Sequence, residues 1–333
     1  MSLDLTQKIY DCLPNDTLNK LKLCMFRAVD LIETFFPDPD DYSKKIKLYP
    51  EQKDLIDCIQ FGFPLRHFKF SEIEHPPKGG ILLSRRQIGK SISCGYTAAA
   101  LNIIGAGISY SIPCHCGMIG ASEDTAIELI EKTKDAIINS DFNDFLTEGR
   151  QKIDRVKLKN GSITRAHTCS HKSIRGKKYH YLFVDEGRWM EEDVLFSAAL
   201  PTVTHGERWF IITTPQGSKG ELMRLYLKAV SERPVICKNC LSSYSQKDFE
   251  NADFPIKNEI WKMPPLPPCK KCGSTEYKYG IGYIVTPWIN PWECPIINKD
   301  ELMRKLEYFD WDPHVRQEEL GEIVDDASMV FLK

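Results

Sequence analysis

"LLSRRQIGKS", residues 82–91, decides how this chain folds. A short apolar strand, "GILLS", runs into it, and an alanine-rich helical stretch, Lys90 to Ile104, leaves it. Strand, Gly-Lys-Ser, helix is the setting of the phosphate-binding loop G-x-x-x-x-G-K-[S/T]. Gly89 lets the backbone approach a phosphate, Lys90 is placed to reach the β- and γ-phosphates, and Ser91 is placed to ligate Mg²⁺. The start of the helix adds backbone N–H donors. The departure lies at the other end: Ser84 stands where the pattern has its first glycine, and Arg85, Arg86, Gln87 and Ile88 fill the loop. A chance Gly-Lys-Ser at a helix start is the competing reading of this stretch taken alone.

Two further stretches weigh against chance. "YLFVDE" (181–186) is an apolar strand ending in two acids. Asp185 is placed to hold the Mg²⁺ shell, and Glu186 to polarise an attacking water as a general base. An acid pair at a strand end also suits a helix N-terminus. "IITTPQG" (211–217) puts Thr213 and Thr214 at the end of another buried strand. A polar group there senses the γ-phosphate in many motor ATPases, and a strand running into a proline turn is the plainer reading.

Around these motifs strands and helices alternate, which implies a mainly parallel sheet with helices on both sides. Leu18, Leu21, Cys24, Met25, Ala28, Leu31 and Ile32 recur at helical spacing near the start. A short helix is expected after Pro50. "CGMIGAS" reads as a strand and Asp124 to Ile138 as a helix. "DRVKLKNGSITRAH" reads as a hairpin turning on Asn160-Gly161. "YHYLFVDE" and "RWFIITT" have the continuous apolar character of strands buried on both faces. After about residue 232 prolines, aromatics and paired cysteines crowd in, and a last helical stretch, Lys299 to Val324, follows. The expected division is a helical segment over 1–45, a core over 46–232, a cysteine-rich insertion over 233–295 and a C-terminal segment over 296–333.

Taken together, "RRQIGKS", "YLFVDE" and "ITTPQG" followed by Gly220 resemble the ATPase domain of phage large terminase subunits, the motors that package DNA into preformed capsids. Arg86 and Gln87 match the family's deviant phosphate loop. "LYPEQKDLI" is similar to its upstream adenine-reading motif, which gives Gln52. Arg175 and Gly176 in "SIRGKKYHYLFVDE" match its Arg-Gly step, and "RQEELGEIVDDASMVF" is similar to the segment that ends the domain. The resemblance covers roughly residues 45–230 and 313–331. It implies a RecA-like α/β P-loop NTPase fold with a mainly parallel central sheet and a small C-terminal lid, to which the paired cysteines of this sequence add a small zinc-stapled insertion. It also implies that a loop arginine, Arg86 with Arg85 as second candidate, acts in cis on the γ-phosphoryl group. Pairing of that arginine with a nearby acid is the alternative. Family members usually continue into a nuclease domain, and the sequence stops at Lys333, so no nuclease activity is expected of it.

The cysteine-rich insertion is unusual for that family. "CKNC" (237–240) and "CKKC" (269–272) form two Cys-x-x-Cys pairs, the pattern of a four-thiolate Zn²⁺ site at Cys237, Cys240, Cys269 and Cys272. Reduced surface thiols or a redox pair are the alternative. "CHC" (114–116) has no second pair and reads as core, as do Cys12, Cys24 and Cys58.

Composition fits a folded chain: of 333 residues 42% are hydrophobic and 27% charged, with net charge −2. No apolar run approaches the roughly 20 residues of a membrane span, and no secretion leader is recognised. Between 150 and 178 there are ten Lys/Arg and one acid, Asp154, and between 300 and 326 ten acids and three bases. The basic block is either a polyanion-binding surface or a solvated hairpin face. The reading is an ATP- and Mg²⁺-dependent motor that moves double-stranded DNA into a viral capsid. It would work as a homo-oligomeric ring in the host cytoplasm and at the procapsid portal, with portal protein, small terminase subunit and a nuclease domain or subunit as partners. The alternatives are a superfamily-2-like helicase, which needs a second RecA-like domain, and a slow nucleotide-binding assembly protein, against which Lys90 and Glu186 both argue.

Overall fold

The structure, a computed structural model, describes residues 27–324 except 74, 106–112, 148–152, 204–206, 216–218, 250, 251, 253, 255–263 and 288, and also residues 16, 17, 21 and 24. In chain order the elements are α1 (Ala28–Phe35), α2 (Pro50–Phe61), β1 (Gly79–Leu83), α3 (Lys90–Ile104), β2 (His115–Gly120), α4 (Glu123–Ile138), β3 (Arg155–Lys157), β4 (Ile163–Thr168), α5 (His171–Ile174), β5 (Tyr181–Asp185), β6 (Arg208–Thr213), α6 (Glu221–Ser231), β7 (Val235–Cys237), β8 (Ser243–Tyr244), β9 (Tyr277–Tyr279), β10 (Ile284–Val285), α7 (Lys299–Tyr308) and α8 (Pro313–Leu320). They fall into two compact units, one of Met1–Pro64 and Gly89–Ile212, the other of Leu65–Ile88 and Thr213–Lys333.

The first unit is α/β. Its strands lie in the order β6-β5-β2-β4-β3. β2 runs parallel to both neighbours, with Cys116 beside Tyr181 on β5 and beside Thr164 on β4. β5 runs parallel to β6, with Asp185 beside Ile212. β3 is antiparallel to β4 and turns on Asn160-Gly161, as the sequence suggests. All five residues of β5 are buried, and because alternate side chains point to opposite faces, both faces of the strand are covered. Helix α3 is buried almost all round, which explains its run of alanines. Helix α4 is capped by Ser122, whose side chain accepts from the Thr125 N–H, and carries Glu123 and Asp124 in its first turn. Ahead of α1, Arg27 makes a bidentate pair with the fully buried Asp57 of α2, with both N···O distances 2.8 Å. Leu21, Cys24, Ala28, Leu31 and Ile32 are buried, and Leu18, Met25 and Cys12 lie outside the described residues.

In the second unit β1 pairs in parallel with β10, Gly79 beside Ile284. A three-stranded antiparallel sheet, β8-β7-β9, carries the cysteine pairs on a small core of Val235, Cys237, Phe249, Cys269 and Tyr277. The single last helix expected over Lys299 to Val324 is two helices, α7 and α8. Asp310 and Trp311 between them take left-handed φ of 47° and 55°, and Asp312 then caps α8 with Pro313 at its first position. The pair closes on Leu302, Leu306 and Leu320.

Candidate functional site

In the first unit, Gly89 is the N-cap of α3 with a left-handed φ of 75°. A side chain there is strained, and a Cβ at residue 89 would lie 2.6 Å from Gln52 Nε2, so the end of the Gln52 side chain would have to shift. Gln52 is buried at the start of α2, where its Oε1 accepts from the Tyr49 N–H (3.3 Å). Its carboxamide is thus held against the loop by a capping interaction. Lys90 is 7% exposed. The Ser91 hydroxyl donates to Asp185 Oδ2 at 3.0 Å, bringing together the first turn of α3 and the end of β5.

Burial pushes the Asp185 carboxyl above its ordinary value, opposed by the Ser91 hydroxyl and the charge of Lys90. The Glu186 N–H donates to Asp185 Oδ1 (3.0 Å). Glu186 itself sits at φ 54°, a strained region for a residue with a Cβ. Strain of this kind costs about 1–3 kcal/mol and gathers at functional sites. A serine hydroxyl and a carboxylate are hard oxygen donors, the set that suits Mg²⁺.

The second unit holds the first half of the loop. The Ser84 N–H donates to the Thr213 carbonyl (3.1 Å), and Ser84, Ile88, Thr213 and Thr214 are all buried. Thr213 Oγ1 donates to the Thr214 carbonyl (3.2 Å). Gln87 has a φ of 58°. Both loop arginines meet acids of α8. Arg85, 10% exposed at its side chain, pairs with Glu319 at 2.7 Å, and the more exposed Arg86 pairs with Glu318 at 2.9 Å. Glu319 also pairs with Lys305 of α7. Gly321, just past α8, has φ 66°, and a Cβ there would lie 2.8 Å from the Arg85 backbone nitrogen. Glu318 and Glu319 belong to the acidic block counted in the sequence, which carries no sign that it meets the loop. Gln216 and Gly217 lie outside the described residues.

The Sγ atoms of Cys237, Cys240, Cys269 and Cys272 lie within 4.8 Å of one another. Cys114 and Cys116 are fully buried, and among the described residues no other cluster of three metal-ligating side chains is found. In the basic block Lys157, Lys159, Lys172, Arg175 and Lys178 are exposed, Arg155 pairs with Asp154 (3.2 Å), and residues 150 and 152 lie outside the described set.

Comparison with known proteins gives a family. The family described as terminase large subunit, T4likevirus-type, N-terminal, matches residues 81–260, more than half of the chain. No curated protein matches. Among solved structures, the HK97 bacteriophage large terminase superposes with a TM-score of 0.60 at 12% identity, covering 90% of this chain and 55% of that one. The large terminase of a thermophilic bacteriophage gives 0.52 at 12% identity over 84% and 54%. The ATPase domain of the Thermus phage P74-26 large terminase gives 0.50 at 16% identity over 84% of this chain and all of that domain. The chain thus spans the whole of that isolated domain but about half the length of the HK97 protein and of the thermophilic phage protein. Fold and sequence agree, and the chain belongs to the T4likevirus-type terminase large subunit family, matched over that family's N-terminal part.

Proposed function

We propose that the protein is the ATPase motor of a terminase large subunit, hydrolysing ATP to drive double-stranded DNA into a viral capsid. The observation that carries this reading is the Ser91–Asp185 contact of 3.0 Å, with buried Lys90 and strained Glu186 each one residue away in sequence. When bound, Mg²⁺ supplies charge neutralisation on the phosphate oxygens. Ser91 and Asp185 would hold it, and Lys90 would hold the β- and γ-phosphates. Glu186 takes a proton from the attacking water. Arg85 and Arg86 are the cationic candidates in the loop, and Gln52 is the base-reading candidate. Thr213 and Thr214 follow the state of the γ-phosphate. The large terminase of the thermophilic bacteriophage has been solved in complex with ADP, which supports a nucleotide ligand for this chain.

The proposed organisation is an ATPase core over 46–232 between a helical segment (1–45) and a zinc-bearing insertion (233–295), with a lid segment over 296–333. The exposed lysines and Arg175 of the basic block would grip DNA phosphates, so binding would weaken steeply with salt and depend little on sequence. Portal protein, a small terminase subunit and a nuclease domain or subunit are the partners this role requires. The working form is a ring of copies at the procapsid portal, in the host cytoplasm. Zinc at the four cysteines is structural, because four thiolates leave no open position.

The test is phosphate release from ATP and Mg²⁺ with and without duplex DNA. Turnover stimulated by DNA, and at least a ~100-fold loss in Lys90→Ala, is expected. Turnover in Lys90→Ala equal to that of the natural chain would overturn the site.

A further inference from the structure

The two cysteine pairs are one turn built twice. In the first, the Cys237 N–H donates to the Ser242 carbonyl (3.0 Å) and the Leu241 N–H to the Cys237 carbonyl (3.0 Å). In the second, the Cys269 N–H donates to the Ser274 carbonyl (2.8 Å) and the Gly273 N–H to the Cys269 carbonyl (2.8 Å). The residue after the second cysteine is left-handed in both, Leu241 at φ 58° and Gly273 at φ 74°. A leucine seldom adopts this conformation, so the match reflects a geometry both turns need.

The sulfurs meet across the two turns: Cys237 and Cys272 are 3.6 Å apart, as are Cys240 and Cys269. Bonded sulfurs lie about 2.0 Å apart. Four sulfurs about 2.3 Å from a central zinc sit roughly 3.8 Å from each other. The spacing therefore fits a tetrahedral ion and not a disulfide.

Four thiolates around a divalent ion leave a net double negative charge, which needs hydrogen-bond donors around the sulfurs. Among these is a side chain no cysteine spacing announces. Tyr244 on β8, from the strand after the first turn, reaches Cys269 of the second, with Oη to Sγ 3.1 Å. A metal-bound thiolate has no proton, so the hydroxyl is the donor. The ring is fixed edge-on against Phe249 and Tyr277, with centroids 5.7 and 6.3 Å away. We propose that Tyr244 is a positioning residue of a single zinc centre, tying the second cysteine turn to β8 through its hydroxyl bond to the Cys269 thiolate. This inference rests on the zinc reading above.

Tyr244→Phe keeps the ring and removes only the donor. Tyr277→Phe is its control, because the Tyr277 hydroxyl donates to the Pro267 carbonyl (3.0 Å) and not to sulfur. The full chain and both variants are measured for zinc content, for zinc affinity by chelator competition, and for the sulfur-to-metal charge-transfer band after cobalt substitution. The expected result is one zinc per chain in all three. Tyr244→Phe alone should bind roughly 10-fold more weakly, the scale of an outer hydrogen bond to a ligand, with a shifted cobalt band. Unchanged affinity and band in Tyr244→Phe would overturn the role of Tyr244 and leave the zinc centre standing. Less than one zinc in the natural chain after reconstitution would overturn the zinc reading itself.

Discussion

The phosphate loop and the cysteine turns both gather polar atoms at tight bends, and they are supported in opposite ways. Ser91 and Asp185 sit at the ends of a helix and a strand that are buried on nearly every side. Apolar packing positions the elements that carry them, and the Ser91 hydroxyl and the Glu186 N–H both donate to the buried Asp185 carboxyl. The cysteine turns stand on five buried residues, two of them cysteines that the metal would take as ligands. A core that small cannot hold a sheet by burial. On the proposed reading, the first site would be built before its ligand arrives, whereas the second would be built by its ligand.

Chelation of the metal, or Cys269→Ser, tests that contrast most severely. Amide protection of β7, β8 and β9 should collapse while β2 and β5 stay protected, as read by hydrogen exchange. Equal loss in both regions would break the contrast.

A smaller effect separates the two loop arginines. Glu319→Gln leaves the buried Arg85 charge short of its partner and should cost about 2–3 kcal/mol in urea unfolding. Glu318→Gln, facing an Arg86 that is 59% exposed, should change stability by no more than ~0.5 kcal/mol. Equal costs would mean that burial does not set the strength of these pairs.

The smallest effect lies within the cysteine turns. Leu241→Gly relieves a left-handed leucine at a surface position, making the first turn like the second. It should stabilise the zinc-loaded protein by ~0.5–1 kcal/mol, measured as a shift in unfolding midpoint.

What was legible in the sequence was local. The apolar run of "YLFVD" announces a strand buried on both faces, and Gly89-Lys90-Ser91 announces its helix, because chain neighbours set both patterns. The spacing of the cysteines announces their meeting. The hydroxyl of Tyr244 is silent, since one tyrosine on a two-residue strand makes no pattern. The pairing of Arg85 with Glu319 crosses 234 residues of chain, and charge counting records both partners without joining them. The break between α7 and α8 was written in Asp312-Pro313, but the helical periodicity on either side of it reads as continuous. Strand β10 has two residues, too few for any period to show.

Glu186 is proposed as the general base of an ATP hydrolase. Single-turnover hydrolysis of ATP with Mg²⁺ and duplex DNA, alongside equilibrium nucleotide binding, in the natural chain and in Glu186→Gln tests it directly. Nucleotide binding within about 2-fold of the natural chain and hydrolysis slowed by at least ~100-fold are expected of Glu186→Gln. Hydrolysis by Glu186→Gln at the natural rate would contradict it.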